Sequence, residues 1–128
     1  MLVISGALVA LAGCTVGRDS YLHQQKVQLF TTRFLDFDAG KRKPDKVFSN
    51  REAILAVVRN LSSSDRLYRV EFLRHESGEV VFDKVVSVSA HRANATGPTK
   101  PLSSGKYLVK VSSQDIQPVL HDFSVMGY

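Results

Sequence analysis

RLYRVEFLRHESGEVVFDKVVSVSA, residues 66–90, is the stretch that decides the fold. Tyr68, Val70 and Phe72 alternate with Arg69 and Glu71, the period-two pattern of a strand with one buried and one wet face. Glu76-Ser77-Gly78 supplies a turn, and Glu79–Ala90 returns as a second strand rich in valine. An isolated hairpin is marginal in water, so this pair needs further strands and a facing layer.

The flanking segments offer them. Lys106–Ser112 alternates with Tyr107, Val109 and Val111 inward, and Ser113-Gln114-Asp115 turns the chain. Val119–Val125 follows with Val119, His121, Phe123 and Val125 on one face, and Pro118 stands at its start, where no ladder donor is needed. Between the two pairs, His91–Pro101 reads as a loop with room for a short, irregular edge strand. Upstream, Lys26–Asp38 places Val27, Leu29, Thr31, Leu35 and Phe37 on one face and Phe30 and Phe34 on the other. Arg33 interrupts that apolar series, which implies a bulge or a bend between two short strands near Thr32-Arg33. There is no internal repeat and no low-complexity tract.

Residues 50–61 allow two readings. Ser49-Asn50-Arg51-Glu52 fits a capping box, and Ile54, Leu55, Val57, Val58 and Leu61 follow helical spacing. The adjacent valines and the turn-like Asn60–Ser64 argue for a strand instead. The ordering of the whole chain tips the balance to strand.

That ordering is a series: Phe48 and Ile54, then Tyr68, Val70 and Phe72, Gly78 and Val80, Leu102, Gly105, Tyr107, Val109 and Val111, and finally Phe123 and Val125. It resembles the immunoglobulin-like and fibronectin type III-like β-sandwich modules of bacterial envelope proteins. The resemblance implies an all-β fold, a single immunoglobulin-like antiparallel β-sandwich over residues 26–128. Leu102, Gly105 and Tyr107 look like the turn into the penultimate strand of such modules, where a tyrosine folds back onto the preceding loop. A superfold of this kind carries no functional residues with it.

At the amino terminus, an apolar run from Leu2 to Leu11 ends in Leu11-Ala12-Gly13-Cys14. The run is shorter than the roughly 20 residues of a membrane span, and Ser5, Gly6 and Gly13 make it a poor core element. It has the size and small-residue ending of a secretory signal. The tetrapeptide resembles the lipobox of bacterial lipoproteins. The resemblance implies a signal peptide over 1–13, a diacylglyceryl thioether on Cys14, and acylation, as by palmitate, of the new amino terminus. Thr15 stands where an aspartate would signal inner-membrane retention, so the implied location is the periplasmic face of the outer membrane in a diderm host. No Lys or Arg precedes the run, a departure that an upstream start or the amino-terminal charge alone would account for. Ordinary cleavage without lipid, or a short uncut anchor, are the alternatives. Residues 14–25 read as lipidated cysteine and polar tether, with a reach of roughly 15–20 Å.

The net charge is +5, from 17 Lys and Arg against 12 Asp and Glu, and all of it lies after Cys14. Such a domain is drawn to anionic surfaces, whether lipid or protein. Lys41, Arg42 and Lys43, with Lys46 and Arg51 close by, are the candidate partner-binding residues. A solvated loop is the plainer reading of the same run. Nucleic acid is not an expected partner, since no aromatic-basic recognition motif is present.

Catalytic equipment is not evident. His23, His75, His91 and His121 are not spaced as a metal pair, and the one cysteine is assigned to lipid, so no metal, cofactor or small-molecule substrate is expected. His121 reads as packing or a hydrogen-bonded edge of the core. Asp36/Asp38 and Glu76/Glu79 flank turns, and the serine clusters mark turns without a nucleophile elbow. The expected role is therefore non-enzymatic: a lipid-anchored envelope module that binds an envelope protein, accessory to a larger envelope or secretion complex. The alternatives are a periplasmic chaperone or inhibitor that adds an extended segment to a sheet edge, and an enzyme acting on envelope polymers through a polar cleft.

Overall fold

The structure, a computed structural model, describes residues 26–41, 43–114 and 116–127. The signal run, Cys14, the tether and Arg42 lie outside them. The elements in chain order are β1 (Val27–Arg33), α1 (Phe34–Asp38), β2 (Val47–Ser49), β3 (Ile54–Asn60), β4 (Arg66–Arg74), β5 (Val80–Val88), β6 (Ala93–Thr96), β7 (Gly105–Ser113) and β8 (Ile116–Met126). They build two sheets, β1-β3-β6 and β2-β8-β7-β4-β5. The chain passes repeatedly between the sheets, as in the immunoglobulin-like sandwich: β1, β3 and β6 form one layer, and the β4-β5 and β7-β8 hairpins lie in the other.

The hairpin at residues 66–90 forms as its alternation requires. Tyr68 pairs with Val86 and Phe72 with Phe82, with a register shift after Phe72. Gly78 closes the turn at φ +73°, its N–H donating to the Arg74 carbonyl at 2.9 Å. On the inward face of the five-stranded sheet, aromatic rings gather around Phe123. Its ring stacks on Tyr107 at 5.4 Å and meets Phe48 and Phe72 edge-on at 5.7 and 5.8 Å. Tyr107 is also the tyrosine that folds back, its hydroxyl donating to the Ser103 carbonyl at 2.6 Å.

Residues 50–61 resolve as a turn and a strand. The capping-box bonds do form: the Ser49 N–H donates to Glu52 Oε1 (3.1 Å) and the Arg51 N–H to Ser49 Oγ (3.1 Å). They shape a turn with no helix behind it, because β3 is the central strand of its sheet and gains ladder bonds on both sides. Ile54, Ala56 and Val58 face the core, while Val57 is buried on the opposite face, in register with Phe30 and Ala95.

Three expectations need correction. The segment Lys26–Asp38 does not hold two strands: β1 ends at Arg33, and residues 34–38 make one helical turn. No bulge or bend interrupts the ladder at Thr32-Arg33; the chain turns only after Arg33, and the hydroxyls of Thr31 and Thr32 bond the carbonyls of Asp45 and Lys43 (2.5 and 2.8 Å), tying the returning connection against β1. The sandwich is also not wholly antiparallel, since β2 pairs parallel to β8. Pro118 lies within β8 and not at its start; the register shift between Val111 and Ser113 lies opposite, so its missing N–H interrupts no regular ladder.

Candidate functional site

The sandwich has two ends. One carries Lys26, where the described chain begins, the loops 61–65 and 89–92, and Gln114 after β7. The other carries α1, the turn 50–53, the Glu76–Gly78 turn and the connection 97–104. At this second end lies a groove of ≈ 390 Å³ lined by Arg33, Phe34, Leu35, Asp36, Arg51, Glu52, Ala53 and Pro101. Its apolar wall comes from three separate segments, two of them joined by the Phe34 N–H bond to the Ala53 carbonyl (2.9 Å). Phe34 is 44% and Leu35 75% exposed, an adjacent apolar pair that β1 aims outward by ending one residue earlier.

Beneath the groove, Arg33 holds the end of the sandwich together. Its guanidinium pairs with Asp45 and with Glu52, stands 4.0 Å from Asp36, and lies 5.5 Å from the Phe48 ring centre. Glu52 Oε2 is buried against the Arg33 Nε, and that cation is its counterion. Burial pushes the Asp45 carboxyl up, but hydrogen bonds from Arg33 and from the Val47 and Lys46 amides outweigh it and hold it below the usual carboxylate range. The Arg33 guanidinium is raised in turn, mainly by its bond to Asp45.

The basic residues singled out in the sequence divide among different surroundings. Lys41 and Lys43 are exposed on the connection from α1 to β2. Lys46 faces Asp122 on β8 at 3.1 Å, in an ion pair open to solvent. Arg51 is exposed on the turn after β2 and lines the groove. Phe34, Leu35, Ala53 and Pro101 were not singled out. The signal for them was Arg33: a charge that ends an apolar series leaves the next apolar residues without a core to enter.

His121 takes the place read for it, at the edge of the core between the sheets. Its Nε2 lies 3.0 Å from Thr31 Oγ1. Since the Thr31 hydroxyl proton goes to the Asp45 carbonyl, His121 Nε2 is the donor, which fixes the neutral tautomer. A second depression, ≈ 530 Å³ and more open, lies on the outer face of the five-stranded sheet near Arg66, Leu67, Arg69 and Ser112. It is crossed by the bidentate Arg69–Asp83 pair (3.0 and 2.6 Å). Among the described residues, no three of His, Cys, Asp and Glu converge as a metal site, and no helix is long and apolar enough to cross a membrane.

No protein-family model and no curated protein matches the chain. Among solved structures, a β-glucosidase from Listeria innocua, in complexes with gluconolactone and with glucose, is 13% identical with a TM-score of 0.42, over 80% of this chain and 16% of its own. A β-glucosidase from Erythrobacter marinus is 8% identical with a TM-score of 0.40, over 78% of this chain and 15% of its own. The chain thus spans about a sixth of these enzymes, and likenesses of this size bring no activity with them.

Proposed function

We propose that this chain is a lipid-anchored, non-enzymatic binding module of the cell envelope, which holds a protein partner at the end of the sandwich remote from its anchor. One observation carries the reading. The chain enters β1 at Lys26, and β1 runs the length of the sheet to Arg33, directly before the exposed Phe34-Leu35 pair. At about 3.3 Å per residue the seven-residue strand separates lipid from groove by roughly 20–25 Å. A tether at Cys14 and an apolar groove at the far end suit a module that faces away from its membrane.

The groove's chemistry fits a protein segment with an apolar anchor beside a carboxylate: Phe34, Leu35 and Pro101 offer apolar contact, and Arg51 offers a charge at the rim. Such a surface is small and its affinity modest. Holding both partners at one membrane raises their effective concentration enough for a modest contact to serve. Catalysis fits less well, because the two carboxylates lining the groove, Asp36 and Glu52, both lie against the Arg33 cation. Strand addition also has less support: the free edge β5 carries Lys84 in its inward phase opposite Val70, a charge that discourages pairing.

The anchor is tested on the mature protein. Mass spectrometry is expected to find residue 14 as the first residue, carrying lipid, and Cys14→Ser is expected to abolish both the cleavage before residue 14 and the lipid. A mature chain with an unmodified Cys14 would sink the reading.

A further inference from the structure

The cations of this domain differ in how they are neutralised. Arg33, Lys46, Arg69 and Arg74 each face a carboxylate within ion-pair distance. Other exposed cations, Lys41, Lys43, Arg51, Lys100 and Lys106 among them, form no ion pair among the described residues, but at the end where the described chain begins such cations lie beside an exposed leucine. The Leu61 N–H donates to the Lys26 carbonyl and the Asn60 N–H to the Arg92 carbonyl, both at 2.8 Å. These bonds extend the β1-β3-β6 ladder by one residue on each side, setting Lys26 opposite Leu61 and Arg92 opposite the neighbouring Asn60 at the end of the sheet. Arg59, in register with Gln28 and Ala93, adds a third cation at the rim. Lys26, Arg59 and Arg92 are exposed and form no ion pair among the described residues. Asp65 is the one carboxylate on the described loops here, and it accepts the Ala90 N–H at 2.9 Å. Leu61 is 46% exposed amid this charge.

Three unpaired cations around an exposed leucine repel one another and leave apolar surface in water. Both costs vanish against a surface of anionic headgroups, where cations meet phosphate and the leucine reaches the acyl boundary. Residues 15–25 separate Lys26 from Cys14, so on the lipid-anchored reading, from which this inference starts, no other part of the domain begins closer to the bilayer. We infer that this end rests on anionic lipid, with Lys26, Arg59 and Arg92 at headgroup phosphates and Leu61 between them. The contact stands the sandwich upright and turns the Phe34-Leu35 groove away from the membrane.

The test uses the full chain as Cys14→Ser, with vesicles of phosphatidylcholine alone or mixed with phosphatidylglycerol. Neutral vesicles measure the contribution of the apolar amino-terminal run. Each cation near an anionic surface contributes about fivefold, so phosphatidylglycerol is expected to raise partitioning on the order of 10- to 100-fold, less in high salt. That gain should vanish in Lys26→Gln/Arg59→Gln/Arg92→Gln and persist in Lys41→Gln/Lys43→Gln/Arg51→Gln, with thermal midpoints confirming that both fold. A gain that survives the first triple substitution, or is lost equally in the second, overturns the inference. The two readings fail separately. A lipidated Cys14 with no phosphatidylglycerol gain removes the basic contact alone, whereas a gain with an unmodified Cys14 removes the anchor alone.

Discussion

Tyr68 and Tyr107 are both fully buried, yet they differ in where the hydroxyl goes. Tyr107 donates to the Ser103 carbonyl, while the Tyr68 hydroxyl has no hydrogen-bond partner among the described residues, and burial pushes its ionisation up. A made hydrogen bond contributes about 1 kcal/mol and an unmet polar atom costs about as much. Tyr107→Phe is therefore expected to lower unfolding free energy by about 1 kcal/mol in urea, and Tyr68→Phe to leave it unchanged or raise it. Equal losses would contradict the assignment. His121 sets a pH dependence at the same scale. Burial, then the nearby Lys46 charge, hold its imidazole below the ordinary value, with Asp122 partly offsetting them. The unfolded chain then binds the proton more readily, so the stability present above about pH 6.5 is lost as pH falls through the lowered folded value. Asp45, also held low, acts in the same direction in the carboxylate range. The urea midpoint should fall between about pH 7 and about pH 5, and fall less in His121→Gln; an unchanged slope in that variant would reject His121 as the source of this pH dependence.

Among the elements, β6 shows how closely one strand can approach another. A Cβ on Gly97, just past β6, would stand 2.2 Å from the Ile54 carbonyl oxygen at the start of β3. Backbone cannot yield as a side chain can, so Gly97→Ala is expected to cost about 1–3 kcal/mol, read as a lower thermal midpoint. A neutral result would mean that the 97–104 connection is free to shift away. The elements also differ in how far they could be read in advance. The hairpin of residues 66–90 was legible because both its strands and its turn are written locally, in alternation and in Gly78. β3 was not legible from its own residues, which fit a helix equally well; its place between β1 and β6 decided the matter. The helical turn 34–38 and the parallel β2–β8 pair were missed because both depend on distant partners, Ala53 for the one and residues 124–126 for the other. The groove was hidden for the same reason, being assembled from residues near 34, 52 and 101. The basic run at residues 41–51 drew the eye as a charge cluster, but Lys46 turns to Asp122 and Arg51 to the groove.

For the molecule as a whole, the two ends differ in their apolar surface: Leu61 among cations where the described chain begins, and a groove of Phe34, Leu35 and Pro101 over the Arg33 cluster at the other. Such polarity suits a protein held from one end and used from the other. Phe34 and Leu35 contribute little to folding because they are already exposed, so polar substitution there should leave stability within about 0.5 kcal/mol while removing partner capture. The most direct measurement of this account is site-specific photo-crosslinking in membranes, with the full lipidated chain carrying the probe at Leu35 or, as a control, at Leu120 on the outer face of the five-stranded sheet. A discrete protein adduct from position 35, absent from position 120 and lost with Cys14→Ser, is the expected result. An adduct from position 120 with none from position 35 would contradict it.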